Sequence, residues 1–265
     1  MRILKYIRNI DPRIIFILFF SGFFFDALVA GSKQKKLVQF IIALIVFLFF
    51  ECVFSYIRFK KIKISKSSFV SPCGVFALIS SPHLWPFALF SFLASYSKHF
   101  LRIKGHHIFN PVTFGFVLVR FYFPEFIDSG ASTWSGQEFF IYYFWITGTI
   151  LVLWAKRFFI SYTFFSVLLL AHVIGKGIHP SLFVSPFYSP SFFLLCFFMI
   201  SDPITSPSKI TDQIIWGCLI GILAIFLKTK FLLSAGVLAI FIGNILFALI
   251  RQKRKQSDYV NYAIQ

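Results

Sequence analysis

The sequence predicts an all-α integral membrane protein, with about ten transmembrane or broken helices in two inverted five-helix repeats. Three observations predict it. Hydrophobic residues make up 58% of the 265-residue chain and its mean hydropathy is +0.82, far from the balance of a soluble domain. Ten apolar segments follow one another with basic residues between them. A motif of the first half returns 121 residues later, at 200 after 79.

The segments divide by length. Residues 14–29, 37–57, 139–153, 158–174, 214–227 and 231–250 are long apolar runs. Residues 75–80, 87–97, 112–123 and 192–200 are shorter and flanked by Pro or Gly. Crossing a hydrocarbon core of ~30 Å takes about 20 helical residues, so the short runs read as broken or re-entrant helices. Irregular backbone at that depth is tolerated only where protein or a polar cavity surrounds it. Arg2, Lys5 and Arg8 precede the first run, but no small-residue cleavage site follows it; residues 14–29 are therefore expected as a retained first helix. The chain reads as one membrane domain over 1–265. Repeat one covers about 1–128, repeat two about 137–252, and 251–265 is a basic tail.

Charge orients this bundle. The formal net charge is +17, yet the cations fall between apolar segments rather than along one helical face, which argues against nucleic acid and for a lipid bilayer as the partner. Ten crossings put both termini on one side. With that side cytoplasmic, it holds all but seven of the 26 Lys and Arg residues, the seven being Lys33, Lys35, Lys36, Arg120, Lys176, Lys228 and Lys230. This is the positive-inside bias and places the protein in the inner, cytoplasmic membrane. The Lys33–Lys36 group is the discordant element. Cys52, Cys73, Cys196 and Cys218 lie in apolar stretches without a C-x-x-C pair, which argues against a zinc or iron–sulfur site.

The recurring motif reads I-S-x-P-x-x-x-P, as Ile79-Ser80-Ser81-Pro82-His83-Leu84-Trp85-Pro86 and as Ile200-Ser201-Asp202-Pro203-Ile204-Thr205-Ser206-Pro207. A Ser-Pro pair opens the stretch before each copy, Ser71-Pro72 and Ser189-Pro190. Five segments per half is an odd number, so the second copy would be inverted, with its broken helices meeting near the midplane. Proline removes a donor and disfavours helix at the preceding residue. Each copy should therefore end a helix and free backbone carbonyls for a cofactor, an ion or water.

Further blocks are Glu51 at the end of the second span, Gly105-His106-His107-Ile108-Phe109-Asn110-Pro111, Met199 through Pro207, and Gly236 to Ile240 followed by Asn244. In these motifs and their order the chain resembles the NqrB/RnfD family, the related membrane subunits of the sodium-pumping NADH:quinone reductase and of the Rnf electron-transport complex, as a short, divergent member. The resemblance implies a ten-helix bundle of inverted repeats that binds flavin. It also implies electron transfer coupled to transmembrane ion transport, within a complex of other membrane and redox subunits. The chain would be a subunit of a redox-driven translocase and not a catalyst alone. It implies an FMN joined through its phosphate to the Thr of an S/T-G-A-T motif on the outer face. The corresponding loop here reads Asp128-Ser129-Gly130-Ala131-Ser132-Thr133. The acceptor position is Ser132, whose hydroxyl can form the same phosphoester, and Thr133 is the second acceptor. Ser129 and Gly130 keep the motif's core, and Arg120 is placed to pair with a phosphate. Asn110, Asp202 and Thr205 are candidates to hold a flavin ring or a cation. FMN held without a covalent bond, or riboflavin, also fits these residues.

Charges inside a bilayer are costly and usually functional. Asp26 is expected near the outer, wet end of the first span. Glu51 is expected to pair with the basic loop at 58–66, and Lys98 and His99 to be interfacial. His106 and His107, being adjacent, cannot share a helical face. Asn244 is expected to bond another helix. No Ser-His-Asp set, Gly-rich phosphate loop or H-E-x-x-H is present. The alternative function is an inverted-repeat transporter or channel for a small solute or ion without a redox cofactor. A ligand-free anchoring subunit is a third.

Overall fold

The computed structural model describes residues 12–30, 33–64, 67–103, 105–127, 138–176, 190–227 and 232–253. Among them are ten α-helices: α1 Pro12–Ala30, α2 Lys33–Phe59, α3 Ser67–Leu78, α4 Trp85–Phe100, α5 Pro111–Tyr122, α6 Glu138–Trp154, α7 Phe158–Lys176, α8 Pro190–Leu194, α9 Ile210–Phe226 and α10 Leu232–Lys253. Each expected apolar segment lies on one of these helices.

Local chemistry sets many of their ends. Proline stands at the first position of α1, α5 and α8, where its missing N–H has no helical partner to lose. Asn110 caps α5, its Oδ1 accepting from the Val112 and Thr113 amides at 3.0 and 3.2 Å. Lys60 and Lys156, at φ 54° and 56°, take the left-handed conformation that turns the chain out of α2 and between α6 and α7. After Leu194, residues Leu195–Met199 widen into a π turn, closed by the Ile200 amide donating to Leu195 O at 3.1 Å. Such turns mark sites where a helix gives up regular hydrogen bonding.

Two boundaries differ from expectation. Helix α3 begins at Ser67 and carries Pro72 inside it, whereas the Ser71-Pro72 pair was expected to open the segment. Ser71 stays helical, its hydroxyl donating to Ser67 O at 3.3 Å. His106 and His107 lie on a two-residue strand paired with Arg102–Ile103 across Gly105, at φ 82°. They point to opposite faces, His106 exposed and His107 buried.

The contacts of the first five helices recur in the second five. Helix α2 packs on α4 as α7 packs on α9; α4 packs on α5 as α9 packs on α10; α2 meets α3 as α7 meets the π turn. Between the halves, like meets like: α1 packs on α6, α3 on α8 and α5 on α10. Phenylalanines fill the joint. The rings of Phe19 and Phe23 on α1 lie 6.0 and 4.3 Å from Phe144 on α6, which stacks on Phe193 of α8 at 5.4 Å.

Surface and interior have exchanged their usual chemistry. Phe226, Ile174, Phe121 and Phe139 are 70–84% exposed, while Asp26, Gln39, Glu51, Asn110, Arg157 and Asn244 are buried. Asp26 is thus fully enclosed rather than at a wet end. Apolar exposure on this scale marks a surface covered by lipid or protein. Lys35–Phe59 and Phe158–Gly175 are long and apolar enough to cross a membrane.

Helices α7 and α9 approach closely because Gly217 has no side chain. A Cβ there would lie 2.7 Å from Ile160 O and 2.9 Å from Thr163 Cβ. Gly217→Leu must push the helices apart, at a cost of about 3 kcal/mol. Thermal melting of the purified protein checks this, and an unchanged Tm would mean the two helices do not pack at this glycine.

Candidate functional site

The break after the π turn is built around Asp202. Its Oδ1 accepts from the Ile204 amide at 3.1 Å, and its Oδ2 from Thr205 Oγ1 at 3.1 Å. Its backbone carbonyl accepts from Ser206 Oγ at 2.7 Å and from the Thr205 amide at 3.2 Å. This is the local Asx chemistry by which a carboxylate replaces a helical turn after proline stops the helix. One contact is not local. Asn110 Nδ2 donates to Asp202 Oδ2 at 3.3 Å, from 92 residues away. The same Asn110 caps α5 through its Oδ1, so one amide fixes the start of a helix in the first half and the carboxylate of a break in the second.

Arg157 closes the arrangement from the start of α7. It is 2% exposed. Its Nε donates to Ser206 Oγ at 3.1 Å, its Nη2 to Pro203 O at 3.2 Å and its Nη1 to Lys156 O at 3.3 Å. Gln213 on α9 donates to Lys156 O at 2.8 Å and Ser208 O at 2.9 Å. Carboxylate, guanidinium, hydroxyls and amide thus form one buried network, the kind that rigidifies a core when every member is bonded.

The first copy of the motif is held in the same manner by neutral groups. Gln39, near the start of α2, donates from Nε2 to Ser81 O at 2.9 Å, and Ser81 Oγ accepts from the His83 amide at 3.1 Å. Position 81 matches 202 at the 121-residue offset, so Ser81 stands where the second copy has Asp202. Lys36 stands where it has Arg157.

A second buried cluster gathers on Glu51, at the opposite end of α2 from Gln39. Glu51 Oε1 accepts from Lys98 Nζ and from Ser68 Oγ, each at 2.7 Å. His99 Nε2 lies 3.1 Å from Oε2. Lys98 and His99 are 13% and 7% exposed at the side chain, so they are interior groups rather than the interfacial ones expected. Glu51 finds its cation at the end of α4, not in the loop at 58–66.

Of the expected site residues, the structure brings Asn110, Asp202 and Thr205 together. Arg120 stands apart, its Nη1 donating to Pro124 O at 2.7 Å and Ile127 O at 3.0 Å; this guanidinium nitrogen organises backbone. Ser129, Gly130, Ser132 and Thr133 lie outside the described residues. Arg157 and Ser206 were not singled out from sequence. The available signal was Arg157's 121-residue offset from Lys36.

No curated protein matches the chain. Residues 134–259 match the model of the NQR2, RnfD, RnfE family, so the stretch that carries Arg157 and the Asp202 turn is of the family its motifs resemble.

Proposed function

We propose that this chain is a membrane subunit of an ion-translocating, flavin-dependent electron-transport complex. It lies in the cytoplasmic membrane as two inverted five-helix repeats, about 1–128 and 137–252, with both termini in the cytoplasm. The observation that carries this reading is the family match over residues 134–259. Three features of the structure support it. The exposed surface is apolar while charged groups are interior, as a bilayer requires. The helix contacts of one half recur in the other, and corresponding helices pair across the joint. The basic group Lys33–Lys36, against the charge bias in sequence, starts α2 as Lys156 and Arg157 precede α7. Inversion puts such counterparts on opposite faces, which accounts for the exception.

Flavin, FMN or another, is part of the proposal. When bound it supplies the one-electron chemistry, and the protein supplies position and environment. The segment before the Ser129–Thr133 loop suits such a group. Trp85 packs edge-on against Phe123 and Phe126 at 5.1 and 5.2 Å, and His83 against Phe126 at 5.7 Å. Trp85, Phe123 and Phe126 keep 37–38% of their surface exposed, leaving a shelf on which a flat ring can pack. Arg120 holds the Pro124 and Ile127 carbonyls and so fixes where the chain leaves toward Ser132. Other membrane and redox subunits would deliver and remove the electrons.

Purification of the full-length chain from its native membrane tests this. Flavin absorbance and co-purifying redox subunits are expected. Yellow fluorescence should follow the chain on a denaturing gel and disappear in Ser132→Ala if Ser132 carries the phosphoester. Fluorescence kept in Ser132→Ala but lost in Thr133→Ala would move the attachment by one residue. A colourless preparation without redox partners, active in solute uptake by proteoliposomes, would replace the reading with a transporter.

A further inference from the structure

The cluster on Glu51 has the donors of a cation site, and it encloses a cation of its own. Glu51 and Ser68 are buried, at 1% and 0% exposure. Between them sits the Lys98 ammonium, 2.7 Å from Glu51 Oε1 and 3.1 Å from Ser68 Oγ. The ring of Phe47 lies 5.8 Å from Nζ. A carboxylate oxygen, a hydroxyl oxygen and an aromatic face are what a small monovalent cation takes in place of water. They come from α2 and the first turn of α3, while the ammonium comes from the last turn of α4.

A carboxylate this deep cannot stand uncompensated. It takes a metal cation, a proton or a fixed positive side chain. We infer that Glu51, Ser68 and Phe47 form a monovalent-cation site whose resident ion is the Lys98 ammonium, so that removing the ammonium opens the site to an ion of the size of sodium. Lys98→Met keeps the stem's length and apolar packing and leaves the oxygen donors in place. The neighbouring cations have other work. Arg58 Nη1 donates to His99 O at 3.0 Å, and Arg102 Nη1 to Lys98 O at 3.0 Å with Nη2 on Gly105 O. His99 faces the second carboxylate oxygen, on the side away from Lys98. The inference is independent of flavin.

The test is thermal melting of the full-length chain in detergent, in sodium chloride and in choline chloride of equal ionic strength. The wild type is expected to melt alike in both. Lys98→Met should melt higher in sodium, rising by roughly 5–10 °C as sodium reaches a hundred times its dissociation constant. The double variant Glu51→Gln with Lys98→Met should lose that dependence. Lys98→Met that folds only in sodium also supports the site. A folded Lys98→Met indifferent to sodium overturns it, because a proton, Arg58 or Arg102 has then taken the ammonium's place. Failure to fold in either salt, or an equal sodium shift in the wild type, overturns it as well.

Discussion

Asp202→Ala is expected to destabilise the protein by about 3–5 kcal/mol, through three partners left without an acceptor. The Ile204 amide, Thr205 Oγ1 and Asn110 Nδ2 all donate to this carboxylate, and Asn110 and Thr205 are 3% and 2% exposed. Each buried donor deprived of its acceptor costs about 1–3 kcal/mol. Asp202→Asn should cost less, because it retains one oxygen and the shape of the turn. Its new NH₂ group meets the Asn110 amide or Thr205, so one contact is lost. The long-range contact can be isolated in a double-mutant cycle with Asn110→Ala. Asn110→Ala alone loses the α5 cap, about 1–2 kcal/mol. The two together should cost less than the sum by about 1.5–3 kcal/mol, the worth of a hydrogen bond to a charged group. Additive effects in denaturant or thermal unfolding would mean that the halves are not joined at this carboxylate.

Arg157→Met should be nearly as damaging, at about 2–4 kcal/mol. The guanidinium donates to Ser206, Pro203 and Lys156, tying the start of α7 to the Asp202 turn. Methionine retains the stem and loses every donor. Ser206 Oγ keeps its bond to Asp202 O, so the turn itself survives and its anchorage to α7 is lost. Lysine at this position restores the charge but not the planar fork, and cannot reach three acceptors in different directions. Arg157→Lys is therefore expected between wild type and Arg157→Met in melting temperature. In the assembled complex, both variants should lower ion-coupled turnover more than they lower flavin content. Equal melting of Arg157→Lys and wild type would show that the three directed bonds contribute nothing.

The helices were legible because apolar runs and proline punctuation are local signals. The boundaries that moved did so for tertiary reasons. Ser68, in the first turn of α3, is held by Glu51, which draws helix through Ser71 despite the following proline. Helix α9 starts at Ile210, before its apolar run, because Gln213 reaches back to Ser208 O and across to Lys156 O. The Asn-Pro and Asp-Pro motifs were each visible, but nothing in sequence says that they touch. That contact spans 92 residues and depends on α5 and the α8 break arriving at one place. Arg157 was hidden by its neighbour. A Lys-Arg pair between apolar runs reads as a solvated loop, and only the fold turns Lys156 outward and Arg157 inward. Lys98 was misplaced similarly, because charge counting assigns a side of the membrane and not a depth. The Ser129–Thr133 loop carries its signal in composition alone.

The central claim is that the chain lies in a membrane as two inverted halves. Lys35 and Lys156 test it directly, because both are exposed and they stand at matching starts of α2 and α7. Single variants Lys35→Cys and Lys156→Cys, in a background lacking Cys52, Cys73, Cys196 and Cys218, are treated in intact cells with a membrane-impermeant thiol reagent. Inversion predicts labelling of Lys35→Cys in intact cells and of Lys156→Cys only after the membrane is opened. Labelling of both from the same side would contradict it.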